Sequence, residues 1–291
     1  MTILVTAASG RLGRLVIDAL LTRGASPADL VAGARDTTKL ADVARRGIRV
    51  VELDYTRPET IAPAVAGVDS MLLVSGTDFG NRVPQHRAVI EAAKAAGVAK
   101  LAYTSGPKAD TSEHVLMPEH RGTEQAIAEV GVPAVLLRNN WYTENYEQDV
   151  AIAASTGVIA AATGTGRVAS APRRDYAEAA AVVLLEDGHV GNVYELGGDE
   201  PWTFAELAAA ASEVLERDVE FVAQSPSERV ASLIAAGLDE GTAGFVAAID
   251  EGIARGDLAG SDGTLSRLIG RPTTPLVDAL REIVDAQRAA A

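Results

Sequence analysis

A doubly wound α/β fold, with a parallel sheet and helices on both faces, follows from three features of this 291-residue sequence. Through its first half, short apolar runs alternate with amphipathic helical patterns, and parallel strands require such helical crossovers. The N-terminal run leads directly into a glycine-containing loop and a helix, the opening of a nucleotide-binding βαβ unit. After residue 150 the alternation loosens, as it does where a smaller, mainly helical lobe follows an α/β domain.

The elements follow in order. Ile3–Thr6 predicts a buried strand. Leu12, Leu15, Val16, Ala19 and Leu20 recur at the spacing of one helix face, and Gly24 suits the residue beyond its C-cap. Leu30–Ala34 predicts the second strand and Thr38–Arg46 a helix; Ile48–Leu53 predicts the third strand and Pro58–Ala66 a helix. Ser70–Ser75 is the fourth strand, Val83–Ala96 a long helix, and Ala99–Thr104 the fifth strand. Glu119–Val130 predicts a helix and Ala134–Leu137 the sixth strand. Further on, helices are expected at Tyr176–Leu185, Phe204–Leu215, Ser227–Ala236, Gly241–Ala254 and Leu276–Gln287, with short strands at Val193–Glu195 and Val219–Val222. The expected division is 1–150 for the dinucleotide-type domain, with 170–197 returning to it, and 151–291 for the smaller α/β lobe.

Composition narrows the function. The chain is 47% hydrophobic and 23% charged, as soluble globular proteins are. It has no cysteine, which excludes thiol nucleophiles, disulfides and thiolate metal sites. A formal net charge of −14 repels phosphate backbones and anionic lipid, and no basic patch offsets it, so neither nucleic acid nor membrane is an expected partner. No apolar run is long enough for a membrane span, and a cytoplasmic protein is expected. The four histidines are dispersed and no H-E-x-x-H pair occurs, so no metal is expected. No G-x-S-x-G elbow surrounds Ser105, which argues against a hydrolase.

In such sheets ligands bind beyond the carboxyl ends of the strands. The first such segment is Thr6-Ala7-Ala8-Ser9-Gly10-Arg11-Leu12-Gly13. Gly10 and Gly13 allow close backbone approach, and the helix N-terminus offers unpaired N–H groups and a positive dipole end to a pyrophosphate. Ala7 stands where the motif has its first glycine, a position that asks for positive φ. After the second strand comes Arg35, whose planar guanidinium suits a ribose 2′-phosphate and thus NADPH; Lys39 and Arg11 add charge nearby. Asp36 would favour NADH if it held the strand tip instead. After the third strand, Asp54 suits either an adenine amino group or a turn ahead of Pro58.

Together with the loop, Asp54-Tyr55, Gln85-His86-Arg87, Tyr103-Thr104-Ser105, the run Arg138 to Tyr146 and the C-terminal Ser266 to Pro275 resemble atypical short-chain dehydrogenases. Within these the chain is most similar to the NADPH-dependent quinone oxidoreductase type 2 branch, near triphenylmethane reductase and the NmrA-like regulators. The resemblance covers nearly the whole chain and implies a Rossmann domain binding NADPH across Thr6, Ala7, Ala8, Ser9, Gly10, Arg11, Leu12, Arg35, Asp54, Val74, Ser75, Gly76, Thr104, Ser105, Asn139, Asn140, Trp141 and Tyr142.

Ordinary short-chain dehydrogenases protonate an alkoxide through a Tyr-x-x-x-Lys pair. That spacing is absent: Pro107 lies four residues after Tyr103, and Lys108 is one place too far. If His120 takes the lysine position, as the resemblance suggests, the tyrosine position is Leu116. Quinones need less help, because hydride addition gives a resonance-stabilised anion that water can protonate, leaving proximity and orientation to the protein. His120 is expected either to hold the nicotinamide ribose or a nearby phosphate, or to donate a proton. Tyr142 and Asn145, with Tyr146 beside them, supply an aromatic face and an amide for a flat acceptor, and Phe79 in the Gly76–Asn81 loop is placed to reach it too. The expected function is hydride transfer from NADPH to a quinone or similar flat electrophile. The alternative is an NmrA-like NADP(H) sensor without turnover. Monomer and homodimer both remain open.

Overall fold

The computed structural model describes residues 1–290; Ala291, the last residue of the expected second lobe, lies outside the described residues. The chain forms two compact units, one of 1–110, 118–139 and 173–195, the other of 111–117, 140–172 and 196–291.

The first unit is built on β1 (Ile3–Val5), α1 (Arg11–Thr22), β2 (Leu30–Ala34), α2 (Ala41–Arg45), β3 (Arg49–Glu52), α3 (Pro58–Val65), β4 (Ser70–Leu73), α4 (Arg82–Ala95), β5 (Lys100–Ser105), α5 (Met117–Val130) and β6 (Ala134–Asn139). The sheet runs β3-β2-β1-β4-β5-β6 and ends with the strand Val193–Leu196. Pairing from β3 through β6 is parallel, with Ile3 opposite both Leu30 and Ser70. This is the expected doubly wound Rossmann sheet. The chain reverses direction across β1 and β4, so the crevice beyond their carboxyl ends is the natural ligand position.

Burial on both faces explains the near-continuous apolar strands: every residue of β1, β2, β4 and β5 is buried. One core gathers Leu4, Val31, Met71, Val89, Ile90, Leu101 and Tyr103. On the other face α1 packs against the helix Arg173–Leu185. The buried stripe of α1 is Leu12, Gly13, Val16, Ile17, Ala19 and Leu20, so Ile17 takes the core position that the spacing assigned to Leu15. The helix expected over Thr38–Arg46 is split into a 3-10 turn, Thr37–Leu40, and α2. Asp36 caps the turn by accepting from the Thr38 amide at 3.0 Å. Lys100, buried in β5, donates through Nζ to the carbonyls of Val183, Leu184 and Glu186 and closes the helix Arg173–Leu185 at its C-terminus.

In the second unit the 3-10 turn Thr143–Tyr146 runs into the helix Glu147–Thr156, and the strand Val158–Ala161 pairs in parallel with Glu220–Ala223. Arg167–Val168 pairs antiparallel with Trp202–Thr203. The helices Phe204–Leu215 and Pro226–Ala235 both begin with capping boxes, Thr203 with Glu206 and Ser225 with Glu228. The stretch 140–150, expected in the first domain, groups with this unit because Tyr146 and Val150 enter its core beside Trp202, Phe204 and Leu207.

Candidate active site

The first unit gathers most of the expected residues along one sheet edge. Beyond β1, Ala7 adopts φ +47°, the left-handed conformation that the missing glycine would take without strain. The Ala8 amide donates to the Gly33 carbonyl at 2.8 Å and the Gly10 amide to the Ala7 carbonyl at 2.9 Å, folding the loop tightly. A Cβ on Gly13 would lie 2.5 Å from the Ala7 oxygen and 2.8 Å from the Ala8 Cα, so only glycine lets α1 sit this close to the loop. The N-cap Gly10 makes no side-chain cap, and the first turn of α1 carries no acid. An unshielded positive helix end with tight backbone access fits a pyrophosphate.

Thr6 joins this loop to the segment after β4. Its hydroxyl accepts from the Val74 amide at 2.9 Å and lies 2.5 Å from the Tyr55 hydroxyl, which donates to the Val74 carbonyl at 2.9 Å. The Ser75 amide donates to Thr104 Oγ1 at 2.8 Å, tying the ends of β4 and β5 together. Ser105 donates to Glu124 Oε1 at 2.6 Å; Arg138 grips Glu124 through Nε and Nη2 at 3.0 and 2.7 Å and also reaches Asp110 and Glu195. Arg35 is exposed just past β2, while Asp36 is occupied by its cap. Asp54 Oδ1 accepts from the amide and hydroxyl of Thr56 at 2.9 and 2.8 Å, the turn role expected of it.

Of the two roles expected of His120, the structure does not favour a free proton donor: the residue is buried and both ring nitrogens are engaged. Arg82 Nη1 lies 3.3 Å from its Nε2, and the Tyr103 hydroxyl 2.9 Å from its Nδ1. A guanidinium only donates, so Nε2 accepts and Nδ1–H points to Tyr103. His86 is buried beside it, accepting from the Gly76 amide at 3.0 Å through Nε2 and facing Thr123 Oγ1 at 3.0 Å through Nδ1. Burial, reinforced by the Arg82 charge, lowers both imidazoles to about 3, so both are neutral near pH 7. The Tyr103 phenol is held protonated by burial. Thr123 donates to the Glu119 carbonyl at 3.0 Å and closes this polar cluster. Arg82, Glu119, Thr123 and Glu124 were not singled out as site residues from the sequence. They lie on helices with no motif spacing, and only tertiary packing gathers them.

The second unit contains the remaining candidates. Asn140 is consumed structurally: its Nδ2 donates to the Leu258 and Gly260 carbonyls at 3.1 and 3.2 Å, and its Oδ1 accepts from the Trp141 amide at 2.8 Å. Asn139 is the buried last residue of β6 rather than part of a following loop. Trp141 is half-buried against the second core, 6.2 Å from the His114 ring. Tyr146 is a core residue, its ring 5.1 Å from Trp202 and 5.5 Å from Phe204, so it presents no face to an acceptor. Tyr142 is half-buried at the cap of the Thr143–Tyr146 turn, and Asn145 is exposed.

A family model described as NAD(P)H-binding matches residues 7–187. The chain is 42% identical over 281 residues to quinone oxidoreductase 2 of Escherichia coli, covering 97% of this chain and 98% of that one. A crystal structure of an NADPH-dependent quinone oxidoreductase from Escherichia coli, complexed with NADPH, superposes with a TM-score of 0.93 at 42% identity, over 97% of this chain and all (100%) of the other. The triphenylmethane reductase of Citrobacter sp. superposes with a TM-score of 0.92 at 36% identity, over 98% and 100% of the two chains.

Proposed function

Because the chain belongs to the NAD(P)H-binding family of Rossmann-fold oxidoreductases, we propose that it reduces quinones or similar flat electrophiles at the expense of NADPH. The observation that carries this reading is an acid-free helix N-terminus, reached through Gly10 and Gly13, with the exposed Arg35 guanidinium beyond the neighbouring strand.

When bound, NADPH supplies the hydride. The amides at the start of α1 would hold the pyrophosphate, and Arg35 would hold the 2′-phosphate by charge-assisted hydrogen bonds. Thr6, Tyr55 and Thr104 keep the Val74–Gly76 backbone at a fixed position, and Glu124 with Arg138 fixes Ser105. Tyr142 and Asn145 contribute acceptor contacts, Tyr142 by its ring and Asn145 by its amide. His120 acts as a positioning residue, since a neutral imidazole engaged on both nitrogens offers no proton to an acceptor. The reduced acceptor takes its proton from water, consistent with a sequence lacking the Tyr-x-x-x-Lys pair. Dependence on NADPH, a reductant of the cell interior, suits a cytoplasmic location. No helix among the described residues is long and apolar enough to cross a membrane.

The test is oxidation of NADPH, and separately of NADH, by purified protein with 1,4-benzoquinone, corrected for the enzyme-free rate. Saturable oxidation that prefers NADPH supports both the reaction and the role of Arg35. Tight NADPH binding without turnover on any quinone points instead to a cofactor sensor.

A further inference from the structure

Phe79 is the one aromatic residue among the exposed large apolar side chains of the described residues, at 54% exposure. A lone exposed phenylalanine is ordinary; this one is unusually well supported. The Arg82 guanidinium carbon lies 4.9 Å from the centre of its ring. Arg82 is itself only 3% exposed, and burying a guanidinium is costly unless its partners are excellent. Here Glu119 Oε2 accepts from Arg82 Nε and Nη2 at 3.1 and 2.7 Å, and His120 Nε2 faces Nη1. The other oxygen of Glu119 accepts from the Gly80 amide at 2.7 Å, so one carboxylate holds both the loop backbone and the cation beside the ring. At the other end of the loop the Gly76 amide is fixed by His86. Between them Asp78 accepts from Gln85 at 2.5 Å and from Asn81 at 3.2 Å.

The loop leaves β4 beside the β1 loop, through the Val74–Thr6 bond, and thus stands at the switch point of the sheet. The guanidinium lies over the Phe79 ring, and the residue as a whole is half exposed. We propose that Phe79 is a stacking wall for the ring of a planar acceptor, and that Arg82 and Glu119 are the positioning residues that present it. This rests on the reductase reading and adds an acceptor-specificity element to it: planar fused-ring acceptors gain from Phe79, while compact ones gain less.

The test compares wild type, Phe79→Ala, Phe79→Trp, Arg82→Lys and the double variant Phe79→Ala/Arg82→Lys. The readouts are KM and kcat for 1,4-naphthoquinone and 1,4-benzoquinone, NADPH affinity, and calorimetric binding of 1,4-naphthoquinone to protein saturated with NADP+. Phe79→Ala should weaken naphthoquinone, in KM and in calorimetric Kd, by about three- to tenfold, the range of an aromatic pair. Benzoquinone should change less, NADPH affinity should stay constant, and Phe79→Trp should restore binding. Lysine keeps the charge of Arg82 but not its planar fork. Arg82→Lys should therefore weaken naphthoquinone in the wild type and add nothing in the Phe79→Ala background, a non-additivity that a merely structural role would not give. Equal naphthoquinone binding by wild type and Phe79→Ala overturns the proposal, as do fully additive effects or a wild type that binds no quinone. Absent turnover with intact, Phe79-dependent quinone binding would refute the reductase reading and leave the stacking wall standing.

Discussion

Two buried imidazoles make folding stability a sensor of mild acid. His86 and His120 have an ordinary pKa of 6.5 in the unfolded chain and about 3 when folded. The unfolded chain takes up protons that the folded state refuses, so their contribution is complete above pH 6.5 and is lost as pH falls towards about 3. At about pH 5 an unfolded histidine is protonated roughly thirty to one, which costs the fold about 2 kcal/mol per residue, or about 4 kcal/mol for the pair. His114, also lowered by burial, acts in the same direction. Asp149 opposes them. Burial raises its carboxyl from 3.8 to about 6, so the folded state takes its proton first and gains about 1 kcal/mol at about pH 5. The two histidines outweigh Asp149 by roughly 3 kcal/mol, a margin that Asp250, whose carboxyl burial also raises, narrows; it is still a large share of the ~5–15 kcal/mol that holds a domain together. Urea unfolding at about pH 7 and about pH 5 measures the difference, and NMR titration of the imidazole protons assigns it. A glutamine at position 86 can still accept from the Gly76 amide but does not titrate, so His86→Gln should cut the pH-dependent loss by about two-thirds, from roughly 3 to about 1 kcal/mol. Equal stability at both pH values, or His86 and His120 titrating near 6.5 in the folded protein, would refute the reasoning.

Other outcomes follow from the cofactor loop. Ala7→Gly removes a left-handed strain of roughly 1–2 kcal/mol and gives back about 0.4–1 kcal/mol through the looser unfolded chain, so Tm should rise by about 1–3 °C in a thermal melt. Gly13→Ala forces a methyl group to within 2.5 Å of the Ala7 carbonyl; calorimetry should show a loss of about 1–3 kcal/mol and strongly impaired NADPH binding. Arg35→Ala should weaken NADPH by about tenfold to a hundredfold and leave NADH nearly unchanged in equilibrium titrations. Asn145→Ala and Tyr142→Ala should raise KM or lower kcat with circular dichroism unchanged; unaltered kinetics would remove both from the acceptor site.

The sheet was readable because its central strands, β1, β4 and β5, and the neighbouring β2 are buried on both faces, and α1 keeps one apolar stripe. β2 matches the residues expected for it, and Phe204–Leu215 matches its predicted helix end to end. The elements that escaped, Glu147–Thr156, Val158–Ala161 and the pair Arg167–Val168 with Trp202–Thr203, are short or weakly patterned, and partners distant in sequence stabilise them. Asn140 and Tyr146 were harder to read for a related reason. Clustered aromatics and amides have the same composition whether they line a pocket or fill a core, and only the packing of Tyr146 on Trp202 and the bonds of Asn140 to Leu258 and Gly260 separate the two. Ala7 was different: a single residue stood where backbone geometry demanded glycine, and the backbone took that geometry with alanine in place.

The first unit is interrupted in sequence, and this has a consequence for how the protein is made. The apolar stripe of α1 is covered by a helix that starts at Arg173, and the sheet is finished by a strand that ends at Leu196. At ~5–20 residues per second, a ribosome needs on the order of ten seconds or more to travel from α1 to Arg173, and several seconds from β6 to the last strand. Over the first interval the nascent chain carries an uncovered helix face and over the second an open edge on β6, two features that invite chaperones or self-association. A fragment ending near residue 139 would stay permanently in that condition, whereas joining 1–139 to 173–195 through a flexible linker would supply the missing cover.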